Sequence, residues 1–283
     1  MWEAVHFLYP SFAACIIILG ILGYLGIHVM EREIIFIDIA LAQIAATGST
    51  LAFILYRQRL TEENGFILRL FAIGFTLCAA AFFSFVSKKV HQISQETVIG
   101  VSYAIAAAAT LFLLATAAGS DVHMEEMLTG SILWMQWPEI FHCLLVYVIV
   151  GLFHYIFREK FSKISRDYIN ADKAGINVLW WDFLFYSSMG IVITYTVEYA
   201  GVLLTFSFLI IPATFSAMFT QSWKNRLFIA WLFGAMVSIA GLAFSYRFDF
   251  PSGPSMVSVM GFVLVISSLI ILSFNHFKRI EKQ

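Results

Sequence analysis

Residues 179–220 read LWWDFLFYSSMGIVITYTVEYA–GVLLTFSFLIIPATFSAMFT, an apolar run twice the length of a membrane crossing, with only Asp182 and Glu198 charged. A spanning helix needs about 20 mostly apolar residues, so two windows, 179–199 and 200–220, abut. Val197-Glu198-Tyr199-Ala200-Gly201 is the one turn candidate between them. Pro212 is expected to break the hydrogen-bond ladder of the second window. Seven further windows qualify: 7–30, 34–56, 66–87, 97–119, 139–157, 225–246 and 256–275. The expected fold is therefore an all-α polytopic membrane protein of about nine transmembrane helices. Eight helices plus a re-entrant or broken element is the alternative, because irregular backbone at membrane depth is tolerated where protein covers it.

Composition supports lipid as the solvent. The 283-residue chain is 60% hydrophobic and 12% charged, with 29 Phe, and its mean hydropathy is +0.85. Soluble domains carry about 25% charged residues. A net charge of -1 points to neither nucleic acid nor an acidic ligand. Cys15, Cys78 and Cys143 are far apart in apolar runs and form no metal or redox pair. The segment Met1-Trp2-Glu3-Ala4 lacks the basic region of a signal peptide, so the first window reads as a retained span. No soluble domain interrupts the chain, and residues 1–283 read as a single transmembrane domain.

Lys and Arg set the orientation. Thirteen of the seventeen lie on one side of the nine-span arrangement: Arg32, Lys88, Lys89, Arg158, Lys160, Lys163, Arg166, Lys173, Lys224, Arg226, Lys278, Arg279 and Lys282. Four lie on the other: Arg57, Arg59, Arg69 and Arg247. The richer side is expected to be cytoplasmic, with the N-terminus outside and the C-terminus inside. On that side residues 158–178 form the longest polar connection, which reads as a short helix stopped by Gly175.

No Gly in the chain is followed by Lys, so no phosphate-cradling P-loop exists and any ATPase must be another polypeptide. Glu139 and His142 have the spacing of a di-iron half-site, but no second pair accompanies them. His123 with Glu125 and Glu126 reads as a solvated loop or an acidic mouth. Charges inside spans cost about 2.5–3.5 kcal/mol each on insertion scales and mark function or pairing. Asp38 lies one turn inside the second span, Asp182 near the start of the sixth. Gln43, Thr47 and Thr50 fall within roughly 60° of one another on the second span, with Asp38 about 140° from Gln43. That stripe either lines a permeation path or glues a helix seam.

Four segments in order carry a family resemblance: Leu22 to Val29 leading to Asp38-Ile39-Ala40-Leu41-Ala42-Gln43 and Gly48; Ile93 to Gly100; Thr129 to Leu133; and Asp167 to Gly175 with Gly201 to Ala213 and Phe250 to Pro254. The chain resembles the membrane permease subunit of binding-protein-dependent ABC importers for divalent metals (zinc, manganese or iron). The resemblance implies an ABC importer permease fold in a bacterial cytoplasmic membrane. It also implies a homodimer, cytoplasmic ABC ATPase subunits and an extracytoplasmic substrate-binding protein. The 158–178 loop would then couple to the ATPase, with Arg166, Asp167, Asp172 and Gly175 as its candidate residues. Asp38, Gln43, Thr47 and Thr50 would line the translocation path. No permanently bound cofactor is implied; a divalent metal is the cargo. Family members read Gly-Asp-Ala-Leu-x-His at the start of the second span, where this chain has Asp38-Ile39-Ala40-Leu41-Ala42-Gln43. The two ligand positions are Ile39 and Gln43, which leaves Asp38 as the candidate metal-facing group. A metal chelate or other small solute is the alternative cargo. An intramembrane haem protein is the rival class, disfavoured because no two spans offer facing histidines at matching depth.

Overall fold

The computed structural model describes residues 2–56, 65–89, 93–115, 130 and 132–280, without the side chains of 2–6, 87–89 and 274–280. Its long helices are α1 (Trp2–Glu31), α2 (Ile37–Tyr56), α3 (Gly65–Lys89), α4 (Gln95–Ala115) and α5 (Trp137–Ile156). Two short helices follow, α6 (Arg158–Arg166) and α7 (Tyr168–Lys173), then α8 (Val178–Ala217), α9 (Trp223–Phe248) and α10 (Ser252–Ile280). Among the described residues, eight helices are long and apolar enough to cross a membrane. Their outward side chains, such as Phe112, Phe141 and Leu272, are large, apolar and exposed. Lipid is the medium in which such a surface costs nothing.

The eighth helix settles how the two abutting windows are used. It runs for 40 residues, but Gly201 sits at φ 74°, ψ 163°, a region essentially reserved for glycine. Asp182, before that point, bonds Arg32 just past the end of α1, and Thr214, beyond it, reaches Met30 in the last turn of α1. Glu198, beside the bend, meets Arg69 at the start of α3, at the opposite end of the bundle. The chain therefore doubles back at Gly201. The outgoing limb is 178–200 and the return limb 202–217. At about 1.5 Å per residue the return limb is roughly 24 Å long, short of the ~30 Å hydrocarbon core. The described residues thus hold eight long helices, one of them broken in direction at Gly201, so the arrangement is the alternative of eight helices with one broken element, and the count of nine is approximate. The break falls at Gly201 rather than at Pro212, which lies buried within a limb that continues to Ala217. Proline removes one N–H from the ladder there; the glycine conformation turns the whole chain.

Helix α1 runs through the middle of the bundle, against α5, both limbs of α8, and α9. Ile18, Leu22, Leu25 and Val29 are buried along it. Its closest approach is at Gly26, where a Cβ would stand 1.9 Å from the carbonyl oxygen of Leu209. Small residues are what allow membrane helices this near each other.

Gly26→Ala should therefore destabilise the solubilised protein by about 1–3 kcal/mol through overpacking, and Gly201→Ala by a similar amount, about 1–3 kcal/mol, through backbone strain. Gly175→Ala is the control: it also sits at positive φ, but its Cβ would meet open space. Its thermal shift in detergent should be the smallest of the three.

Candidate translocation path and coupling surface

Helix α2 begins beside the ion-paired end of the bundle. Asp38, in its first turn, is 1% exposed, and its Oδ1 has no hydrogen-bond partner among the described residues. Further along, Gln43 donates from Nε2 to Thr110 Oγ1 at 3.1 Å. The Thr47 hydroxyl lies 2.9 Å from the Gln43 carbonyl, 3.1 Å from the Ala106 carbonyl and 2.8 Å from Thr110 Oγ1. Thr50 is buried on the same helix. The stripe read from the sequence is thus a polar seam between α2 and α4 in this structure, with Asp38 apart from it. Thr110 is the member the sequence reading missed. A threonine four residues after Ala106 in an apolar span can bond back to that carbonyl, as it does at 3.0 Å, and this was its only signal.

The polar connection after α5 folds into α6 and α7. Asp167 is extended (φ -155°, ψ 91°) and caps α7, accepting from the Asn170 N–H at 2.9 Å and the Asn170 amide at 2.7 Å. Gly175, at φ +80°, stops it: Gly175 N–H donates to Asp172 O and Ile176 N–H to Ala171 O. These paired bonds satisfy the last carbonyls of the helix in the way a left-handed glycine permits. The expected helix stopped by Gly175 is present, preceded by a second helix that the sequence did not separate. Asp167 and Gly175 build the platform; Arg166 and Asp172 are exposed on it, Arg166 lying 5.4 Å over the Trp223 ring.

The platform is joined to the bundle through a buried polar cluster. Arg32 bonds Asp182 at 2.6 Å and Ser165 at 2.8 Å. His28 Nδ1 is 2.8 Å from the same Ser165 hydroxyl. Glu31 pairs with Arg226. An open cavity of about 370 Å³ adjoins the cluster, with Arg32, Glu33, Gln95, Ser165, Tyr168 and Asp182 in its wall. Sequence reading found Asp182 as an intramembrane charge and used Arg32 only for orientation; their pairing needs the tertiary structure.

The remaining candidates resolve into structural roles. Glu198 forms a two-pronged ion pair with Arg69. Glu139 caps α5 by accepting from the Gln136 N–H at 2.8 Å, while His142 is exposed. Asp249 is the left-handed C-cap of α9. His123, Glu125 and Glu126 lie outside the described residues. One correction concerns the histidines: His28 and His154, from α1 and α5, do come to matching depth on either side of Tyr24. Phe161 stacks on His154 at 4.3 Å, so aromatic side chains fill the space a macrocycle would need. Among the described residues no group of three or more His, Cys, Asp or Glu is placed to hold a metal.

The profile of the ABC 3 transport family matches residues 4–271. A manganese import system permease protein, ScaB, of Streptococcus gordonii is 25% identical over 274 residues, covering 97% of this chain and 95% of its own. A manganese transport system membrane protein, MntC, of Listeria innocua is 27% identical over 198 residues, 70% of each chain. Among solved structures, PsaBC from Streptococcus pneumoniae in complex with Fab superposes with a TM-score of 0.76 at 26% identity, over 93% of this chain and 91% of that one. With a profile match along nearly its whole length and a matching arrangement of helices, the chain belongs to the ABC 3 transport family.

Proposed function

We propose that this chain is the membrane permease subunit of an ABC importer for a divalent metal ion. The observation that carries the reading is the family match along residues 4–271, and the relatives named for manganese favour that ion among zinc, manganese and iron. The protein works as a homodimer in a bacterial cytoplasmic membrane, with its N-terminus outside and its C-terminus inside. A separate ABC ATPase hydrolyses ATP, and an extracytoplasmic binding protein delivers the cargo. No cofactor is resident.

The charge asymmetry supports the orientation, and the α6–α7 platform supports the coupling role. A capped, polar pair of helices with exposed Arg158, Lys160, Lys163 and Arg166 offers a partner a preformed surface rather than a loop to be ordered. In the path, Asp38 supplies long-range attraction for a cation, and its Oδ1, unpartnered among the described residues, is a free acceptor on α2. Gln43 and Thr47 meet cargo only by exchanging their bonds to Thr110 and the Ala106 carbonyl. Zinc prefers imidazole, thiolate and carboxylate ligands, and Ile39 and Gln43 supply none of these; manganese takes carboxylate, carbonyl and water oxygens, of which α2 offers only Asp38 and the Gln43 amide. The ion is therefore held loosely and partly hydrated. The same feature supports the second reading, a metal chelate recognised by shape and amide or hydroxyl groups.

Three measurements test these statements. A thiol introduced at Lys282 should react with impermeant reagents only from the cytoplasmic side; reaction from outside refutes the orientation. In proteoliposomes containing the partner ATPase and binding protein, Asp38→Asn should lower manganese uptake several-fold without lowering the amount of inserted protein. Uptake equal to wild type removes Asp38 from the path. Arg166→Glu should leave insertion intact and weaken stimulation of the ATPase by loaded binding protein; full stimulation assigns the contact to another loop.

A further inference from the structure

The end of α1 reaches three other elements within five residues. His28 and Arg32 both meet the Ser165 hydroxyl on α6, each at 2.8 Å. Arg32 continues to Asp182 on the 178–200 limb at 2.6 Å, and Glu31 reaches Arg226 on α9. The ion pair is largely buried, with side chains 7% and 3% exposed, and Ser165 is 3% exposed, at the edge of the open cavity. Glu33, immediately after, takes a left-handed conformation at φ 56°. A residue other than glycine adopts that conformation at a cost, here at the turn that leaves Arg32 directed into the bundle.

One turn before Ser165, on the same face of α6, Phe161 is fully buried. It stacks on His154 at 4.3 Å and meets the Trp181 ring edge-on at 5.4 Å. Residues four apart lie on one helix face, so α6 enters the bundle through an aromatic plug and a polar joint side by side. Its opposite face, with Glu159, Lys160, Lys163 and Arg166, is exposed. The aromatic contact is non-directional. The hydrogen bonds of Ser165 are directional: they set the register of α6 against the end of α1 and, through Arg32, against the 178–200 limb, where Lys160 also lies 4.5 Å over the Trp181 ring. A buried ion pair is no better for stability than apolar residues of the same volume; its best-attested use is to specify such a register. The cavity beside the joint leaves room for the joined segments to move together, which a close-packed interior would not.

We propose that Ser165, with Arg32 and Asp182, is the positioning joint that carries movement of the ATPase from the α6–α7 platform into α1 and the 178–200 limb. The proposal rests on the reading of residues 158–178 as the coupling loop. Ser165 touches neither nucleotide nor cargo. It acts by making the platform and two spanning segments one rigid body.

The test compares Ser165→Ala with Ser165→Thr, which keeps a hydroxyl. Hydrogen–deuterium exchange on the purified permease should quicken over residues 159–173 in Ser165→Ala by about tenfold, as expected for loss of a hydrogen bond to a charged group. The threonine variant should restore protection. In proteoliposomes with the partner ATPase and manganese-loaded binding protein, Ser165→Ala should lower the manganese taken up per ATP hydrolysed, again with recovery in Ser165→Thr. An unchanged ratio of uptake to hydrolysis in Ser165→Ala overturns the proposal, because a merely structural serine would leave that ratio alone. Failure of the threonine variant to restore it also overturns the proposal. A wild-type complex with no ATP-driven uptake refutes the importer reading instead. The joint is then judged by exchange alone, and unchanged exchange over 159–173 refutes it.

Discussion

Arg32 and Asp182 are a guanidinium and a carboxylate almost wholly buried at one end of a bundle whose outer surface is apolar. Neither could be buried alone: stripping one partner from a buried pair leaves an uncompensated charge at a cost of about 3–5 kcal/mol. Their bond therefore obliges the end of α1 and the start of the 178–200 limb to stay together. Ser165 and His28 extend the same obligation to α6, and Glu31 with Arg226 extends it to α9. The elements tied here, α1, α6, the 178–200 limb and α9, are held together by the need to neutralise charges with little access to water.

The far end obeys the same rule with less burial. Arg69 and Glu198 pair there, about a third exposed, next to the glycine that reverses α8. The 178–200 limb is thus tied by an ion pair at each end, to the turn after α1 at one and to α3 at the other. The return limb has no such tie. It is held by close backbone approach at Gly26 and by aromatic packing such as Phe215 on Phe233 at 4.0 Å. Helices in lipid lack a hydrophobic drive to associate, and packing plus polar bonds must hold them. Both devices appear in this one hairpin.

The seam between α2 and α4 shows why polar residues in spans do not declare their own role. Gln43 and Thr47 satisfy each other's surroundings through Thr110, a bonding pattern that holds helices together and can also be exchanged for a passing ligand. Asp38 differs: it is buried with an oxygen unmatched by any described group. In a medium where unmet polar atoms are costly, that mismatch separates Asp38 from the seam.

The membrane class, the crossings and the position of the α6–α7 platform were legible in the sequence. Apolar length, charge asymmetry and the Gly175 stop signal are local properties that each stretch carries by itself. The bend was legible only as a region, Val197 to Gly201; that Gly201 turns the chain and Pro212 does not depends on which backbone conformation the neighbouring helices hold in place. The candidate site residues divide in the same way. Asp38, Gln43 and Thr47 could be named because a polar residue in an apolar run stands out. The partnerships of Arg32 with Asp182 and with Ser165 could not, since those pairs are 150 and 133 positions apart and complementarity of charge says nothing about which pairs meet. Only the packing of α1 against α6 and α8 brings them within hydrogen-bond distance, and once there, burial makes the contact binding.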